Sequence, residues 1–169
     1  MVVGHLAFAY AARARWPRAT IVPLLFASIV PDLADFVLPQ GDQCRTACGL
    51  YTHAFPAVFV LALAVSYLTW QIWHRRATSV LSGALVMAHV ASDLVTGDKP
   101  FWPGGPNLGF ALYRHPMTDF ALETVLIVIG WWMLRRTATA PKLAIHPATL
   151  ALLVAVQAGF NVWHYLASN

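Results

Sequence analysis

Apolar runs close to 20 residues long constrain this 169-residue chain more than any other feature. Residues 19–38 (ATIVPLLFASIVPDLADFVL), 54–73 (AFPAVFVLALAVSYLTWQIW), 78–97 (TSVLSGALVMAHVASDLVTG) and 148–167 (ATLALLVAVQAGFNVWHYLA) each approach the length a helix needs to cross a bilayer. Residues 119–134 (DFALETVLIVIGWWML) are slightly short, and 1–12 (MVVGHLAFAYAA) are too short to cross alone. Two polar segments rich in Gly and Pro, 39–52 and 98–118, separate these blocks. The composition agrees: 59% of residues are hydrophobic and 11% charged, against about 25% charged in soluble domains. The pattern predicts one all-α domain over 1–169, a polytopic membrane bundle of about four full spanning helices plus an N-terminal partial helix. There is no internal repeat, and the N-terminus lacks the basic lead and cleavage site of a secretory signal.

The net charge of +4 does not point to nucleic acid, because the basic residues form no continuous stripe. They gather between apolar blocks, as Arg13, Arg15 and Arg18, then Arg75 and Arg76, then Arg135, Arg136 and Lys142. The positive-inside rule puts these eight in the cytoplasm and leaves Arg45, Lys99 and Arg114 outside. Cys44 and Cys48 then fall in an outward loop, where they are either plain thiols or a local disulfide.

Against that orientation, the ionisable residues of the apolar blocks collect in the outward half. Asp32 and Asp35 end one span, His53 opens the next, His89 and Asp93 sit in "LVMAHVASDLVT", and Asp119 and Glu123 begin another. His89 and Asp93 are four residues apart, so one helical face carries both, and Asp119 and Glu123 share that spacing. Asp32 and Asp35 are also neighbours unless Pro31 distorts the turn. Charged groups in hydrocarbon cost several kcal/mol and must face inward in pairs. Several carboxylates together repel one another unless a strong positive charge sits among them. The outward side has few cations of its own, so a divalent ion is the natural counter-charge, and imidazole with carboxylate suits zinc, manganese or iron. A proton or cation path, or polar pairs with no metal, would use the same residue types.

In order, "GHLAFAY", "PDLAD", "THAF", "HVASDLVT" and "FWP" resemble the YdjM-like family of bacterial inner-membrane, metal-dependent hydrolases over roughly residues 3–134. The resemblance implies a metal centre of His5, Asp32, Asp35, His53, His89 and Asp93 with one or two ions, zinc first and manganese or iron as alternatives. It also implies hydrolysis of an ester or phosphoester in an amphiphilic, lipid-like substrate by a metal-activated water. Asp35 and Glu123 are the candidate general bases. Two departures stand out: Thr52-His53 is followed by Ala54 where the family has Ser, and "ACGLY" replaces an upstream His-Arg pair. The partners expected are membrane lipid and that substrate, with no nucleic acid, at the inner membrane and with the site facing outward. The alternative is a non-catalytic metal-binding or ion-transport protein.

Overall fold

A computed structural model of the chain describes residues 3–37, 53–102 and 105–168. Cys44, Cys48, Thr52 and Pro103 therefore lie outside the described residues. Among those described there are six α-helices: α1 (His5–Arg15), α2 (Ile21–Val37), α3 (Phe55–Trp73), α4 (Arg76–Thr96), α5 (Pro116–Arg135) and α6 (Pro147–Ser168). The only strands among them, β1 (Lys99–Pro100) and β2 (Asn107–Leu108), pair antiparallel in the α4–α5 connection. The fold is an all-α bundle.

The helices start and stop where local chemistry dictates. Prolines stand in the first turns of α3 and α5, where the missing N–H costs nothing. That extends α5 back to Pro116, three residues before the apolar run begins. Helix α3 ends at His74 in a left-handed conformation, and α4 begins two residues later, giving a tight antiparallel hairpin. Its helices approach closely where Gly83 faces Ala62 and Ser66; a Cβ at Gly83 would stand 3.1 Å from the Ala62 carbonyl oxygen. There Ser66 Oγ donates to the Ser79 carbonyl (3.0 Å) and Ser79 Oγ to that of Ser66 (2.7 Å). Small residues and hydroxyls are how helices adhere in lipid.

Helices α3, α4 and α5 are long and apolar enough to cross a membrane; α6 contains a shorter apolar helix, Pro147–Trp163. Helix α2 has 17 described residues, about 25 Å of rise, so three helices among the described residues meet the length of a full span, beside the about four that the sequence suggests. The outer faces match a lipid environment: Val60, Leu63, Tyr67 and Ile72 of α3 are all more than half exposed. The inner core joins α1, α2, α3 and α4 through Ala9, Leu24, Ala27, Val58, Ala62, Val86 and Val90.

Both ends of the bundle have a distinct character. At one end the connections carrying the arginines meet: Arg75 Nη1 donates to the Arg18 carbonyl (2.8 Å), and Arg13 Nη2 to the Thr139 carbonyl (2.8 Å). His5, His53 and His89 lie toward the other, with Asp32, Asp35, Asp93, Asp119 and Glu123. There the α4–α5 connection folds back onto α4, with Phe110 N donating to Leu94 O (3.0 Å) and Ala111 N to Gly97 O (2.9 Å). Gly109, just before them, has φ +145°, and a Cβ there would collide with the Gly97 carbonyl, so only glycine fits.

Candidate metal centre

Three helices and the segment leading into α3 bring the polar groups together. Helix α2 supplies Asp32 and Asp35, α4 supplies His89 and Asp93, α1 supplies His5, and His53 sits two residues before α3. Pro31 does not break α2, so Asp32 and Asp35 stay on one face and both reach His53. In the turn that Pro31 interrupts, the Ser28 carbonyl accepts a bond from His89 Nδ1 (2.8 Å).

Four atoms converge: His53 Nε2, His89 Nε2, Asp32 Oδ1 and Asp93 Oδ2. The two nitrogens are 3.2 Å apart. Asp32 Oδ1 is 3.4 Å from each of them, and Asp93 Oδ2 is 3.1 Å from His53 and 3.4 Å from His89. Ligands bound at about 2.0–2.1 Å in a tetrahedron stand about 3.3–3.4 Å from one another. Five of the six separations thus have the spacing of donor atoms around a single small ion, and the four residues form a group fit to hold one.

Proton positions strengthen the case. The Ser28 carbonyl can only accept, so His89 carries its hydrogen on Nδ1. The Asp35 carboxylate stands 3.0 Å from His53 Nδ1 and fixes that ring the same way. Ser92 Oγ gives its hydrogen to the His89 carbonyl (2.7 Å) and so accepts from His5 Nδ1 (3.1 Å). All three imidazoles therefore have Nδ1–H held by an oxygen, with Nε2 turned toward the carboxylates. An oxygen on the far nitrogen of each histidine is the outer-shell arrangement of metal-ligating imidazoles. As neutral rings, His53 and His89 direct lone pairs at each other and at two carboxylate oxygens. Protonating both would instead set two N–H groups face to face across 3.2 Å. One protonated ring would satisfy only some of these acceptors, whereas a cation between the four atoms would satisfy all of them at once.

The centre is closed on most sides. The side chains of His53 and His89 are fully buried and that of Asp93 is 3% exposed, whereas that of Asp32 is 30% exposed, so access lies on the Asp32 side. Asp32 Oδ2 is itself buried and makes no hydrogen bond among the described residues.

His5 adjoins this group without belonging to it. Its ring stacks on His89 (centroids 3.6 Å apart, 21° between planes), and its Nε2 lies 3.2 Å from Asp93 Oδ1. The short N-terminal helix reaches the site because His5 stands about 15 Å above Arg15 and His89 about 20 Å above Arg76, a difference within side-chain reach. Asp35 sits behind His53 rather than among the four. Asp119 and Glu123 lie in a different cluster: Glu123 Oε2 accepts the Gly4 amide (3.0 Å), and Asp119 Oδ2 accepts Asn161 Nδ2 (3.4 Å). Ser28, Ser92, Gln157 and Asn161 were not apparent as partners from sequence. Only the last two left a trace, as amides four residues apart in an apolar block.

The fold and site define an apolar helical bundle of membrane type with a candidate metal centre. Neither family models, nor curated proteins, nor solved structures yield a match to the chain.

Proposed function

We propose that the protein is a membrane-embedded, metal-dependent hydrolase cleaving an ester or phosphoester bond of an amphiphilic, lipid-like substrate. The observation that carries this reading is the convergence of His53 Nε2, His89 Nε2, Asp32 Oδ1 and Asp93 Oδ2 beside a partly exposed edge. The order of the short motifs, which resembles YdjM-like membrane hydrolases, supports it. A bound divalent ion, zinc by its nitrogen and oxygen donors, would polarise the scissile group and acidify a water. The chain's own part begins with Asp35, Ser28 and Ser92, which hold the three imidazoles in the ligating tautomer. Asp35 and Glu123 are both engaged elsewhere, so we assign the proton acceptor to Asp32 Oδ2, a buried oxygen with no hydrogen bond among the described residues, carried by the most exposed of the four side chains. The arginine-rich end would face the cytoplasm of a bacterial inner membrane and the metal centre the outer side. Exposed Phe101, Trp102 and Phe110 suit an interfacial position where a lipid enters sideways.

One observation favours a second reading, a non-catalytic metal-binding or ion-passing protein. Four donors with three side chains almost wholly buried approach a closed coordination sphere. A screen of phospholipids and lipid-linked esters against purified protein, with and without chelator, separates the two. Hydrolysis that chelator abolishes and zinc restores supports the enzyme; stoichiometric metal with no turnover and no exchangeable water on the ion supports the second reading.

A further inference from the structure

Helix α1 lacks a cap of its own. Gly4 at its N-cap makes no side-chain bond, and the amides leading into the helix are satisfied from across the bundle. Gly4 N donates to Glu123 Oε2 of α5 (3.0 Å), and Val3 N to Gln157 Oε1 of α6 (3.3 Å). Both acceptors are 1% exposed. Gln157 Nε2 in turn donates to Asn161 Oδ1, and Asn161 Nδ2 to the Pro116 carbonyl (3.1 Å), so the clamp continues to the start of α5. Two turns along α5 from Glu123, Gly130 lies against the α1 backbone, where a Cβ would stand 2.7 Å from Ala7 O. Glu123, Ile127, Gly130, Trp131 and Leu134 are buried on α5, and Tyr10 of α1 packs with Trp131 and Leu134. Helix α1 is therefore held laterally by this contact and along its axis by the Glu123 carboxylate, with the Gln157 amide beside it.

The residue after Gly4 is His5. A slip of α1 by one residue moves its side chains about 1.5 Å along the axis and turns them by about 100°. That would break the His5 contacts to Ser92 Oγ, the His89 ring and Asp93 Oδ1 together. A carboxylate also complements the positive end of the α1 dipole.

We infer that Glu123 is a positioning residue of the metal centre: by binding the Gly4 amide it sets the register of α1 and so delivers His5 to Asp93 and His89. This rests on the reading of the site as a metal centre and gives Glu123 a role other than general base. The test uses the full chain in nanodiscs with Glu123→Gln, which keeps an acceptor oxygen, Glu123→Met, which removes it at similar volume, and each combined with His5→Ala. Zinc affinity should fall about 10–100-fold in Glu123→Met and stay within about threefold of the parent in Glu123→Gln. In the His5→Ala background, Glu123→Met should add no further loss. In metal-free protein, the nitrogen NMR signals of the His5 ring should keep the Nδ1–H signature in the parent and in Glu123→Gln, and average toward both tautomers in Glu123→Met. Equal zinc losses with and without His5 would overturn the proposal. So would His5 ring signals that ignore Glu123→Met, or a Glu123→Gln protein that keeps its zinc but loses turnover. If the parent binds neither zinc nor manganese nor iron, the metal reading fails by itself, and the metal-free ring signals still decide whether Glu123 positions His5.

Discussion

Two buried polar clusters lie on either side of α1, and they are built on opposite principles. Around Glu123, most acceptors meet donors: backbone amides face Glu123 and Gln157, and the Asn161 amide faces Asp119 and a carbonyl, although Asp119 Oδ1 has no partner among the described residues. Around His89, acceptors meet acceptors, with imidazole nitrogens and carboxylate oxygens 3.1–3.4 Å apart and the ring hydrogens committed outward. The first cluster is largely complete as protein and serves to join helices. The second gathers acceptor atoms that one cation at its centre would satisfy together, which is how a metal site differs from a structural polar network.

The largest expected break in this contrast comes from the second cluster. Replacing His89 or Asp93 with alanine should abolish stoichiometric zinc binding, measured by elemental analysis of protein purified without chelator. The corresponding change in the first cluster, Gln157→Leu, should leave the metal content intact. Next is Asp35→Ala, which frees the His53 ring without removing a converging atom. Zinc affinity should fall about 10–100-fold, read by competition with a chromophoric chelator, while stoichiometry at saturating zinc is retained. Gly130→Ala sharpens the comparison from the other side: the new methyl pushes α1 from α5 and should cost about 1–3 kcal/mol of stability, read by thermal unfolding in detergent. The smallest effect is expected for Ser92→Ala, which removes the His5 partner outside the four-atom group. A drop in zinc affinity of about tenfold or less is predicted, at the low end of outer-shell effects.

Much of this was legible in the sequence because lipid imposes strong rules. The apolar runs located the α2, α3, α4 and α6 helices within a few residues, and the arginine clusters do meet at one end of the bundle. The spacing of His89 and Asp93 correctly joined them on one face, since a helix fixes that relation locally. The same rule misled for Asp119 and Glu123. Their spacing shows they are neighbours but not which way α5 turns, and α5 turns them to α1 and α6 through the Gly130 contact. The partners of the imidazoles were equally hidden. A backbone carbonyl such as that of Ser28 leaves no mark in a sequence, and its use by His89 depends on how α2 crosses α4. The apolar run over 19–38 predicts a full span, and the described part of α2 accounts for 17 residues of it.

The central claim is that the four converging atoms hold a cation, and metal stoichiometry tests it most directly. Protein purified without chelator and analysed by mass spectrometry for zinc, manganese and iron should carry one or two divalent ions per chain, lost in His89→Ala. A parent protein with no bound metal, and no gain in thermal stability on adding any of the three, would contradict it.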